Sequence, residues 1–112
     1  MRLGITRVRN EGEIIKSTLD RLSYHLDGVV VYDDCSDDLT VEICQSHDLV
    51  LHVVRNPNEW SPLPSVRKRL ETEQRQQLHD KARQLFKPEW MLYFDGDEHF
   101  YFDEIDWSYK GT

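Results

Sequence analysis

Val29-Val30-Val31-Tyr32 is an unbroken apolar, largely β-branched run that ends abruptly in Asp33-Asp34. It dictates most of what this chain can become. A strand with no polar alternation has no face to give to water, so other elements must cover both of its faces. Leu3 to Val8, Val50 to Val54 and Trp90 to Phe94 also read as strands. Between them Ile15, Leu19, Leu22 and Leu26 recur at helical spacing until Asp27-Gly28 stops the helix. Ser36, Asp37 and Asp38 offer N-cap side chains for a second helix through about His47. Asn56 to Pro64, with three prolines and two asparagines, is a loop. Ser65 onward supports a long helix to about Phe86, with Val66, Leu70, Leu78, Ala82 and Leu85 as a sparse apolar stripe on a highly charged body. This order predicts an α/β fold, a mostly parallel sheet with helices on both faces, because right-handed crossovers return successive strands to one sheet.

Composition narrows the function. The 112 residues, 38% of them hydrophobic, suffice for a single domain spanning 1–112 with one core. A net charge of -7 excludes a general nucleic-acid binder, whose polyanionic partner needs a broad basic surface, but it leaves room for one small anion held by a local cluster. Cys35 and Cys44 lack the number and spacing of a disulfide scaffold or a zinc site, and read as reduced thiols of a cytoplasmic protein. No apolar run is long enough to span a membrane, and Met1-Arg2-Leu3-Gly4 does not open a signal peptide.

In a parallel α/β sheet the carboxyl ends of the strands share one edge, where ligands bind. Here that edge would collect Arg7 to Glu11, Asp33-Asp34 and Asp95-Gly96-Asp97. Two carboxylates one residue apart at the end of the apolar run Trp90 to Phe94 need water, a cation or basic groups to offset their repulsion. Mg²⁺ or Mn²⁺, which bridges carboxylates to nucleotide phosphates, would serve. The blander reading is an acidic turn bent at Gly96, and Asp33 and Asp34 read equally as turn and helix-capping residues. Asp33 to Asp38 lacks the Gly and terminal Glu of a calcium loop. Arg67, Lys68, Arg69 and Arg75 read as a solvated helix face interleaved with Glu71 and Glu73. A dinucleotide-binding oxidoreductase is disfavoured because no G-x-G-x-x-G follows the first strand. A phosphatase-like hydrolase would need a nucleophilic Asp where the chain has Arg9-Asn10-Glu11.

Taken in order, Ile5-Thr6-Arg7-Val8-Arg9-Asn10-Glu11, Val31-Tyr32-Asp33-Asp34-Cys35-Ser36-Asp37-Asp38-Leu39-Thr40, Arg75 with Ala82, and Leu92-Tyr93-Phe94-Asp95-Gly96-Asp97-Glu98 resemble the nucleotide-binding half of a family 2 glycosyltransferase with the GT-A, Rossmann-like fold. The resemblance covers residues 3 to about 100. It implies transfer of a sugar from a nucleoside diphosphate donor to an acceptor hydroxyl, metal-dependent and inverting. It places Asp34 on the nucleobase, Thr6, Arg7, Asn10 and Glu11 around the base and ribose, and Arg75 near the phosphates or base. Asp97 would ligate Mn²⁺ or Mg²⁺, with Asp95 on the ribose or a metal-bound water. An ionised Asp34 accepts the uracil N3–H, so the implied donor is a UDP-sugar. The base that activates the acceptor belongs to a half of the fold expected after residue 112, which makes this chain mainly the donor-binding part and leaves the acceptor open. The alternative is a non-catalytic nucleotide- or metal-binding module. The aromatic tail from Phe100 to Trp107 would then be uncovered, which implies self-association or a mobile C-terminus.

Overall fold

In the computed structural model, which describes residues 1–94, all four apolar runs pair into one sheet. The elements follow as β1 (Arg2–Val8), α1 (Ile15–Leu22), β2 (Gly28–Asp33), α2 (Thr40–Ser46), β3 (Val50–Arg55), α3 (Pro64–Phe86) and β4 (Trp90–Tyr93). The strands are parallel in the order β3-β2-β1-β4. The chain moves outward from β1 through β2 to β3, then crosses back to lay β4 on the other side of β1. That reversal is the kind of switch point at which α/β sheets bind ligands. Asp95, Asp97 and the tail from Phe100 to Trp107 lie outside the described residues.

β2 is buried along its whole length, as its sequence requires. Val29 and Val31 pack into a core with Val8, Ile15, Leu19, Leu22, Cys44 and Phe94, under α1 and α2. Val30 and Tyr32 face the other way, into a smaller core with Leu3, Ile5, Leu78 and Ala82 under α3. The alternation of a strand therefore sorts its residues between two apolar layers instead of between core and water.

The helix ends differ from the sequence expectation in ways that have local causes. α1 stops at Leu22, and the backbone N–H of Leu26 still reaches the Leu22 carbonyl at 2.9 Å, so Leu26 enters the core from a turn. Asp27 fixes this exit through a 2.7 Å hydrogen bond that its Oδ2 accepts from the Arg2 N–H. α2 begins at Thr40 because the residues before it are engaged elsewhere: Asp38 accepts from Thr40 N–H at 2.9 Å and from Gly12 N–H at 3.1 Å. α3, by contrast, ends at Phe86 as its sequence predicts, with Lys87 beyond it in the left-handed region, φ 45°, a common helix stop. On α3 the buried positions are Gln74, Leu78 and Ala82, while Leu85 of the predicted stripe is exposed.

Gly4 marks the tightest approach between β1 and its cover. A Cβ there would stand 2.7 Å from Leu26 Cδ1 and 2.9 Å from Phe94 Cε1. We expect Gly4→Ala to destabilise the fold by about 1–3 kcal/mol through overpacking, read as a lower urea midpoint at constant slope. An unchanged midpoint would show that Leu26 and Phe94 repack freely.

Candidate functional site

The parallel register brings Val8 opposite Asp33 and Ile5 opposite Tyr93, so β1, β2 and β4 finish on the same edge. Asp34, the first residue beyond β2, points to the α3 side like Tyr32, and its side chain is 3% exposed. A carboxylate so buried must be compensated. Its Oδ1 accepts from Asn56 Nδ2 at 3.0 Å and from Gln74 Nε2 at 3.2 Å. Its Oδ2 accepts from Arg67 Nη2, with Arg7 Nη2 at 3.7 Å. Burial alone would raise the Asp34 carboxyl, but the hydrogen bonds from Asn56 and Arg67, the Arg67 charge and the Gln74 amide outweigh it and hold the group below the usual carboxylate range.

Gln74 is the link that sequence reading passes over. It is 3% exposed, and its Oε1 accepts from Arg7 Nε at 3.1 Å and Nη2 at 2.8 Å. With the oxygen taken by Arg7, the amide nitrogen is turned to Asp34. The available signal was its place midway between Leu70 and Leu78 on the apolar stripe of α3, where a polar residue needs a partner.

The loops around Asp34 are tied to each other. Asn10 adopts a left-handed backbone, φ 53°, which asparagine tolerates, and its N–H donates to Ser36 Oγ at 2.9 Å while its Oδ1 accepts from Asp37 N–H at 2.9 Å. Glu11 N–H donates to Thr40 Oγ1 at 2.9 Å. Cys35 is also left-handed, φ 62°, and its Sγ donates to the Asn58 carbonyl at 3.0 Å. Burial, then the charges of Asp34 and Asp33, push this thiol up, so it stays protonated. Thr6 is fully buried, and its hydroxyl donates to the Phe94 carbonyl at 2.6 Å, while Phe94 N–H donates to Ile5 O at 3.1 Å. Thr6 thus holds the residue from which the chain continues into Asp95.

Of the residues proposed from sequence, the structure brings Arg7 and Asp34 together, sets Asn10 and Glu11 in the loop that braces the Asp34 segment, and places Thr6 under β4. Arg75 sits on α3 with its Nη2 3.3 Å from Glu71 and its guanidinium over the Tyr93 ring at 4.5 Å. The basic residue at Asp34 is Arg67, which the charge pattern had placed on a solvated face. Among the described residues no group of three or more His, Cys, Asp or Glu is placed to hold a metal ion. No described helix is long and apolar enough to cross a membrane.

The glycosyl transferase family 2 model matches residues 5–106, nearly the whole chain, and within the described residues this takes in every strand tip of the site. The chain belongs to glycosyl transferase family 2. No curated protein matches it. The all-parallel sheet flanked by helices is the α/β architecture of a GT-A-like domain, with Asp34 at the carboxyl edge of its strands.

The lowered Asp34 pKa sets the sign of a pH effect. A carboxylate whose folded pKa lies below its unfolded value contributes stability above the unfolded pKa and loses it as pH falls through the folded one. We therefore expect wild type to exceed Asp34→Asn in stability by about 1–3 kcal/mol at neutral pH, with the gap closing below about pH 4. Urea titrations of both proteins across pH check this, and a gap that persists unchanged to pH 2 would mean that Asp34 is not held as an anion.

Proposed function

We propose that this family 2 chain binds a nucleoside diphosphate sugar, with UDP as the nucleotide, and transfers the sugar to an acceptor hydroxyl with inversion. The observation that carries the reading is Asp34: an ionised, buried carboxylate at the end of β2 that accepts from Asn56, Arg67 and Gln74, with the Arg7 guanidinium beside it. A group held as an obligate acceptor selects a base that offers a ring N–H, which uracil does at N3 and cytosine does not. Because Asp34 is already paired, the base takes its place by displacing a donor. Arg67 is the candidate, since it comes from a long flexible side chain and the other donors are shorter amides.

Arg7 keeps its two hydrogen bonds to Gln74 during this exchange, so Asp34 retains its fixed neighbours while one partner changes. Thr6 anchors Phe94, which precedes Asp95-Gly96-Asp97 in the sequence. Asp97 and Asp95 are the residues that would hold Mn²⁺ or Mg²⁺, a donor set of the hard oxygen type these ions prefer. Such an ion supplies Lewis-acid stabilisation of the charge that grows on the leaving diphosphate. The acceptor and its activating base are not assigned to any residue of this chain.

Two measurements test the reading. In calorimetry Asp34→Asn should weaken UDP binding by about 1–3 kcal/mol, roughly 5- to 150-fold, the range for losing a charge-assisted hydrogen bond. Equal affinities would remove Asp34 from the site. Mn²⁺ should tighten UDP binding, and UDP should tighten Mn²⁺ binding by the same factor, with the coupling lost in Asp97→Asn. Coupling that survives the substitution would leave Asp95-Gly96-Asp97 as an ordinary acidic turn.

A further inference from the structure

Arg7 and Asp34 are a cation and an anion set side by side in a largely buried place, yet they are not hydrogen-bonded to each other. The Arg7 side chain is 15% exposed and that of Asp34 3%, and Arg7 Nη2 stops 3.7 Å from Asp34 Oδ2, outside hydrogen-bonding range. Arg7 bonds a neutral group instead. Its Nε and Nη2 both donate to Gln74 Oε1, at 3.1 and 2.8 Å, and Gln74 Nε2 donates in turn to Asp34 Oδ1 at 3.2 Å. Only this orientation of the amide satisfies both neighbours, because a guanidinium has nothing but donors and an ionised carboxylate nothing but acceptors.

A guanidinium fork placed directly on a carboxylate is the stronger arrangement, since both partners then carry charge. That it is not made has a local cause. Gln74 lies on the buried line of α3 with Leu78 and Ala82, which holds its amide between the two groups. On the far side of the fork, Arg7 Nη1 lies 3.8 Å from Glu71 Oε1, which favours a guanidinium turned away from Asp34. We infer that Gln74 is a positioning residue for base recognition: it holds the Arg7 fork off Asp34, so that a single flexible cation, Arg67, contests the oxygen that the base must reach. This inference rests on the nucleotide reading above and deepens it. With both guanidiniums hydrogen-bonded to Asp34, an incoming N–H would have to displace two charge-assisted contacts instead of one. The other neighbours leave this balance to Gln74. Asn56 is a neutral donor to Oδ1, and Asp33 turns to the opposite side of the strand, where it accepts from Ser36 N–H at 3.1 Å. Burial, then the Asp34 charge, push Tyr32 and Cys35 up, so both stay neutral.

Two readouts on the full chain test this, the first of them without ligand. NMR titration of the Asp34 carboxyl carbon reads what the group is bonded to. Gln74→Met keeps the length of the side chain without its polar atoms, so the Arg7 fork should close on Asp34, and the carboxyl should titrate no higher than in wild type despite the lost amide donor. With Arg7→Met added, neither group remains and the carboxyl should titrate higher. A rise already in Gln74→Met alone would make Gln74 a simple donor and overturn the inference. The second readout is binding of UDP and of uridine by calorimetry, with the fold of each variant checked by circular dichroism. Gln74→Met should weaken both by about tenfold or more, and adding Arg7→Met should tighten both again. Merely structural damage would accumulate instead, leaving the double variant the weakest. That result, or wild-type affinity in Gln74→Met, would overturn the inference. If wild type bound neither UDP nor uridine, the nucleotide reading would fall and the role in base recognition with it, while the titration would still show whether Gln74 keeps Arg7 from Asp34.

Discussion

One buried charge organises this end of the molecule. Asp34 is the point at which a strand designed to be dry on both faces meets the edge of the sheet, and a carboxylate left there without partners would cost several kcal/mol. Its compensation is drawn from three places distant in sequence: Arg7 in β1, Asn56 after β3, and Arg67 with Gln74 on α3. The sheet and the packing of α3 bring these elements to one edge, and the carboxylate ties the tip of β1, the loop after β3 and the first half of α3 to each other there.

That dependence explains which features were legible beforehand. The strands could be read because apolar runs such as Val29 to Tyr32 have only one way to satisfy themselves, and the parallel order followed from the intervening helical patterns. The family pattern pointed to Asp34, and the structure adds that the residue is buried and compensated. Its partners were not legible. Arg67 lies among Lys68, Arg69 and Glu71, and on composition alone nothing separates a surface charge from one that turns inward. What decides is the helix phase: Gln74, Leu78 and Ala82 form the buried line of α3, and Arg67 reaches the edge from the turns before it. A glutamine on an apolar stripe is therefore a more informative sign of a site than any of the arginines beside it.

The loops show a second limit of local reading. Asn10 and the acidic run from Asp33 to Asp38 can each be taken separately as turn chemistry, and each does serve a turn. Their larger effect is mutual: Asn10 with Ser36 and Asp37, Glu11 with Thr40, and Gly12 with Asp38 lace the loop after β1 to the loop after β2. Such lacing lets a loop hold a fixed position without regular secondary structure. It also fixes the left-handed backbone at Asn10 and at Cys35, two conformations that cost free energy unless their surroundings hold them. The residues that read as generic turn formers are in this way what keeps Asp34 and Arg9 at a defined separation.

Between residues 1 and 94 the sequence sets 15 acidic residues against 13 basic ones, and those on exposed faces are screened by water within about 10 Å at ordinary ionic strength. At the site the balance is local. Asp34 takes its counter-charge from Arg67 and Arg7, Asp33 has Arg55 at 3.9 Å, and Arg9 adds a cation under Trp60 with no carboxylate hydrogen-bonded to its buried Nε. On the reading proposed above, a ligand that offers Asp34 an N–H would replace one of the donors already there, so the edge would exchange one contact for another and leave no buried carboxylate without a partner.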